Sequence, residues 1–167
     1  MRLSLVVSAV ALLATAPAAA ALYQLHYTGV SDTTTADLRI STANTLNGAG
    51  GYDILAVSGN VSGDAVTVIA PLNPPGFSTD NIYFAANPIF TSGGVGFFSA
   101  TKTYNLWGNS PGSYTLYGRV ASGSYSPTSD GVLSVTAVPE PAVWGLMIIG
   151  FGMTGLATRR RSAAVTA

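Results

Sequence analysis

One histidine and six aspartates hold most of the acid and base chemistry open to this 167-residue chain. A serine hydrolase would need His26 as its base, because a serine hydroxyl becomes nucleophilic only when an adjacent imidazole takes its proton. His26, however, sits between Gln24 and Thr28 in an alternating stretch and reads as a surface strand residue. A glycosidase needs two carboxylates across a cleft. Glu140 lies between two prolines, and the aspartates are scattered, several in turns where Asp is favoured for conformational reasons. Cysteine is absent, which excludes disulfides and thiolate metal ligands. One histidine without cysteine, and no loop of alternating Asp and Asn, gives no pattern for zinc or calcium. The expectation is a domain that is not an enzyme and takes no metal and no cofactor.

Two further patterns have weak standing. Gly150, Gly152 and Gly155 have the spacing of a dinucleotide fingerprint, but no acidic residue follows them and they lie in an apolar run. Glycines there serve close helix approach, or access of a membrane protease to the backbone. Asn60-Val61-Ser62 matches a glycosylation acceptor, but it lies beside a tight turn and reads as a chance match. Aromatic residues are better represented: Tyr23, Tyr27, Tyr52, Tyr83, Tyr104, Trp107, Tyr114, Tyr117 and Tyr125. Some must fill the core, and an outward row of the rest would stack on sugar rings, with Trp107, Tyr114 and Tyr117 the candidates.

Only 8% of residues are charged, with seven basic and seven acidic. Arg2 and Arg159, Arg160 and Arg161 lie near the termini, so the region between keeps only Arg39, Lys102 and Arg119 and is mildly acidic. A nucleic-acid surface, which needs clustered Lys and Arg, is excluded.

The elements that must position these residues are strands. Tyr23, Leu25 and Tyr27 alternate with polar residues, as do Ala36, Leu38 and Ile40, at the period of a half-buried strand. Residues 44–51 read as a loop. Residues 52–61 and 65–70 form the clearest hairpin, joined by Ser62-Gly63-Asp64. Pro74-Pro75-Gly76 marks a loop or crossover. A short strand at 81–85, a hairpin of 95–101 with 103–107 that turns Phe97 or Phe98 inward, and strands at 114–120 and 132–138 complete the pattern. Nineteen glycines and nine prolines favour turns over long helices. Eight or nine short strands without an amphipathic helix predict an all-β domain over residues 21–138, an antiparallel β-sandwich or open barrel.

Both ends are directed to the membrane. Residues 1–20 have a charge at Arg2, an apolar core and a final Ala18-Ala19-Ala20, the layout of a signal peptide handled by the Sec translocon and signal peptidase. Pro139 and Pro141 hold the tail's entry extended. Residues 142–158 carry no ionisable group and span roughly 25 Å as a helix, at the short end of what crosses a bilayer. The arginine cluster 159–161 acts as a cytoplasmic stop by the positive-inside rule, and Trp144 falls at the outer interface.

Taken together, Pro139, Glu140, Pro141, Trp144, Met147, the run Gly150-Phe151-Gly152, Gly155 and Arg159 to Arg161 resemble the PEP-CTERM sorting signal. The likeness is to the form common in alphaproteobacteria and covers residues 139–167, about the last sixth of the chain; Gly145 stands where many members have Ala. The stretches around Tyr52-Asp53-Ile54, Asp80-Asn81 and Tyr104 to Trp107 also resemble a recurring ectodomain type of that group, which bears on the fold only. The resemblance implies a precursor in the inner membrane of a Gram-negative bacterium, processed by exosortase near Pro139, Glu140 and Pro141. It also implies delivery to the cell surface or extracellular matrix, where exopolysaccharide and biofilm are the candidate associations. The expected function is therefore that of an exported structural protein. A carbohydrate-binding module is the alternative, and a secreted hydrolase the last choice.

Overall fold

The structure, a computed structural model, describes residues 20–70, 72–120, 128–139, 145 and 147–153. Its strands are β1 (Ala21–Gly29), β2 (Thr35–Leu46), β3 (Tyr52–Val61), β4 (Asp64–Ile69), β5 (Ile82–Tyr83), β6 (Val95–Ser99), β7 (Lys102–Ser110), β8 (Ser113–Val120) and β9 (Ser129–Val138). They pair antiparallel in the order β2-β1-β9-β8-β7-β6-β4-β3, and a further β2–β3 pairing joins the two ends of that row. The all-β antiparallel class is as expected, and the sheet closes into an eight-stranded barrel. Strand β5 stands outside the closure, added to the start of β3 through Tyr52 and Tyr83. Closure removes most of the free edge that an open sheet would expose.

Alternation fixes which side chains fill the interior. Leu25 and Tyr27 of β1, Ala36, Leu38 and Ile40 of β2, Phe97 of β6, Leu106 of β7 and Leu116 of β8 are all buried. Phe97, not Phe98, is the inward phenylalanine. The β3–β4 hairpin turns through Ser62 (φ 47°) and Gly63 (φ 94°). Two consecutive left-handed residues give the turn that matches the twist of a two-residue hairpin. The Asn60 side-chain oxygen accepts from Gly63 N at 2.6 Å. The asparagine of the glycosylation-like triplet thus has a structural task in this turn.

Some boundaries differ from the sequence expectation. Strand β2 continues to Leu46, into the stretch read as a loop, because β3 supplies a ladder there that survives two register shifts after Ser41 and Thr42. The loop contracts to residues 47–51, closed by Asn47 N donating to Gly51 O at 2.8 Å. Strand β9 begins at Ser129 rather than Val132, since Leu116 of β8 pairs with it there.

The strand sequence gives the barrel two unlike ends. The connections β1–β2, β3–β4, β6–β7 and β8–β9 gather at one end, here called the mouth. The start of β1 and the end of β9 meet at the other, paired as Leu22 with Val138. That second end is sealed from inside. Phe90 is fully buried, and Gly108 admits the plug backbone: a Cβ there would lie 2.3 Å from the Phe90 carbonyl oxygen. Tyr114 donates to Asn87 Oδ1 at 3.1 Å and accepts from Ile89 N at 3.0 Å, tying residues 87–90 in place.

Beyond Pro139, residues 147–153 are helical, and Met147, Ile148, Ile149, Phe151 and Met153 are exposed, Phe151 at 73%. Among the described residues no helix is long and apolar enough to cross a membrane. The expected leader at 1–20, apart from Ala20, and the expected features at Glu140, Pro141, Trp144, Gly155 and Arg159 to Arg161 lie outside the described residues, as does most of the 142–158 span.

Candidate functional site

At the mouth several ionisable side chains converge on a cavity. Asp32 and Thr34 come from the β1–β2 turn, Ser62 and Asp64 from the β3–β4 turn, Lys102 and Tyr104 from β7, and Ser129 from β9. The cavity measures about 320 Å³ and is floored by Val61, Leu116 and Gly118. An eight-stranded barrel is just wide enough for its own side chains to fill it or to hold one small ligand. At the level of the mouth Ala36, Gly118 and Ser129 stand beside two large inward rings, Tyr27 and Tyr104, whose hydroxyls reach Ser129 and Asp64, while the plugged end carries Phe90, Tyr114 and Tyr83.

Both carboxylates are held in place by donors. Asp64 Oδ2 accepts from Ser99 Oγ at 2.6 Å, Tyr104 OH at 2.8 Å and Thr101 Oγ1 at 3.1 Å. Burial pushes the Asp64 carboxyl upward, but these three hydrogen bonds and the nearby Lys102 charge outweigh it and hold the group below the ordinary carboxylate range. Asp32 Oδ1 accepts from Thr34 N at 2.9 Å and from Ser129 Oγ at 3.0 Å. The Thr34 backbone bond is the main reason that Asp32 also lies below the usual range. Tyr27, fully buried, donates to the carbonyl and hydroxyl oxygens of Ser129, and its burial pushes its phenol up. Tyr104 is pushed up by burial and then by Asp64, while the Lys102 ammonium lies 5.9 Å from the centre of its ring. The site therefore keeps two carboxylates ionised and two phenols protonated across neutral pH. A general acid needs the opposite shift in a carboxyl.

No motif in the sequence marks this grouping. Its members stand in four separate turns and strand ends, and only an up-and-down barrel brings alternate connections to one rim. Counting strands offers the signal: the residues at issue belong to connections that all leave upward-running strands.

His26 lies elsewhere, on the outer face of β1. Cross-strand register places it opposite Asp37, and Nδ1 is 2.6 Å from Asp37 Oδ1 while Nε2 is 3.3 Å from Thr28 Oγ1. The order Thr28, His26, Asp37 has the connectivity of a hydrolytic triad. The His26 and Asp37 side chains are 53% and 62% exposed, so the pair is solvent-screened. Strand β1 is paired on both sides, with β2 and β9, so its amides are spent in ladders and none is left beside Thr28 for an oxyanion.

The aromatic row does not form as expected. Tyr114 is 2% exposed and sits inside the barrel against Phe90, because it shares the inward parity of Leu116 on β8. Tyr117 has the opposite parity and faces outward with Trp107, their rings 6.4 Å apart at 63°. Phe77 from the crossover stands edge-on to Tyr117 at 5.4 Å and 83°. Three tilted rings replace the flat platform. Among the described residues no group of three or more His, Cys, Asp or Glu side chains is placed to hold a metal ion.

Of the tail residues singled out in the sequence, Pro139 is described at the exit of β9, and Met147, Gly150, Phe151 and Gly152 lie in the helical stretch. Comparison with known families adds the decisive observation: the family described as the PEP-CTERM protein-sorting motif matches residues 137–161. No curated protein and no solved structure matches the chain significantly. The matched segment begins within β9, two residues before the barrel gives way to Pro139. The chain carries a C-terminal PEP-CTERM protein-sorting motif, which implies an exported protein that exosortase processes and that is sorted to the cell surface.

Proposed function

We propose that the barrel is a structural, non-enzymatic component of the cell surface or extracellular matrix, associated with exopolysaccharide or biofilm. The Sec translocon exports it, signal peptidase removes a leader ending near Ala20, and the span 142–158 with its arginine stop holds the precursor in the inner membrane. Exosortase then acts near Pro139, Glu140 and Pro141. The observation that carries this reading is the abutment of the sorting motif on the folded domain, with β9 paired to β1 up to Val138. So short a connection supports processing close to the barrel, at the membrane surface.

The non-enzymatic part rests on the state of the candidate groups. Neither mouth carboxylate has the raised affinity for a proton that an acid catalyst needs, and the His26 line lies on an open strand face. Intact mass of the protein, recovered from hosts with and without exosortase, tests the processing. A species lacking both the leader and the residues beyond the proline motif is expected only where exosortase is present. An identical, uncut C terminus in both hosts would refute it.

A further inference from the structure

We infer that the mouth cavity is a binding site for a neutral saccharide, one sugar residue deep. It is distinct from the outward aromatic surface of Trp107 and Tyr117. Four features of the mouth lead to this.

The volume, about 320 Å³, is at the small end of ligand pockets and suits a single ring. Gly118 and Ser129 line the cavity, and a larger side chain at Gly118 would narrow it. The polar groups are already oriented without a ligand. The donors to Asp64 all fall on Oδ2, and those given above for Asp32 on Oδ1. Asp64 is thus fixed through Oδ2 and its Oδ1 retains acceptor capacity for a sugar hydroxyl, while Asp32 is held at the same rim by Thr34 and Ser129. Lys102 supplies donors at the same rim, and a hydroxyl both donates and accepts, so it fits a site of mixed acceptors and donors. Val61 and Leu116 offer an apolar floor for the C–H face of a ring.

Charge selects among sugars. Two carboxylates stand against one ammonium, leaving the mouth with a net negative charge that disfavours a uronate or a sulfated sugar. Topology adds access: the mouth is opposite the end from which residue 139 leaves, so the site faces away from the tether. Sugar binding here is independent of whether exosortase cuts the tail.

The test is a ¹H–¹⁵N NMR titration of the full chain in detergent with glucose, galactose, mannose and N-acetylglucosamine, and with galacturonate and putrescine as charged comparators. At least one neutral sugar is expected to move the amides of Thr34, Ser62, Gly118 and Ser129 in a saturable way. Lys102→Ala, on the rim, should weaken that sugar about tenfold, and Gly118→Val should abolish binding by filling the cavity. Lys102→Ala leaves the folded spectrum in place should Gly118→Val fail to fold. Trp107→Ala should leave the affinity unchanged. The inference is overturned if no neutral sugar moves the mouth amides, if galacturonate or putrescine binds more tightly than every neutral sugar, or if Trp107→Ala rather than Lys102→Ala removes binding.

Discussion

Replacing Tyr114 by Phe tests the barrel's internal seal directly. The ring keeps its edge-on contact with Phe90, 6.5 Å between centroids, so the apolar burial of the site changes little. What is lost is the hydroxyl, which accepts from Ile89 N at 3.0 Å and donates to Asn87 Oδ1 at 3.1 Å. Asn87 Oδ1 still accepts from Gly112 N at 3.0 Å. The Ile89 amide has no such alternative, and it lies in a residue only 9% exposed. An unpaired buried N–H costs about 1–3 kcal/mol, so Tyr114→Phe should destabilise the barrel by about 2 kcal/mol. Urea unfolding followed by tryptophan fluorescence should give that loss with an unchanged slope, and the Ile89 amide should exchange faster with solvent. A change under about 0.5 kcal/mol, the range of an ordinary surface substitution, would refute the placement of Tyr114 inside the barrel. Trp107→Phe is the contrast. It removes one exposed hydrogen bond to Asn109 Oδ1, 3.0 Å long, and should fall within that small range.

Other outcomes follow from the closure and from the tyrosines. Gly59 holds φ at 136°, and a Cβ there would lie 2.0 Å from the Asp37 carbonyl oxygen across the β2–β3 seam. Gly59→Ala should therefore cost about 3 kcal/mol or more through strain and a parted ladder, read as a lower thermal midpoint or loss of folded protein. Burial pushes the Tyr83 phenol up to about 12, with Tyr23 the next influence. The folded state then keeps a proton that an unfolded tyrosine releases near 10, so stability is full below that pH and falls as pH rises toward 12. The urea midpoint should drop across that window, and Tyr83→Phe should flatten the drop.

Much of this fold is readable from local signals, and what is not has a physical cause. Strand β3 runs over the expected residues 52–61, because alternation and a two-residue turn are both local properties. Closure is not local: it depends on β2 meeting β3 on one side while β1 meets β9 on the other, and nothing in a single strand specifies a barrel over a sandwich. The misplacement of Tyr114 has a simpler origin. Aromatic content says nothing about side, whereas parity with Leu116 does, and that parity assigns Tyr114 inward and Tyr117 outward. In the mouth, Asp32 and Asp64 look like ordinary turn aspartates, and each is one. Their meeting at a single cavity depends on strand lengths and stagger that no motif records.

The same count of strands explains why a sorting signal can operate on a folded barrel. The chain crosses the barrel once per strand, and eight crossings return it to the end where it began, so Leu22 and Val138 are neighbours. Residues 20 and 139 therefore stand at one end, and on the reading proposed above that end rests against the membrane while leader and tail are cut. An odd number of crossings would send the tail out through the opposite rim, and one of the two cuts would then have to occur a barrel's length from the bilayer. The plug at residues 87–90 closes this end, and the open, polar cavity is left at the other. An even-stranded barrel with one sealed end and one open end thus gives the tether and the mouth opposite directions.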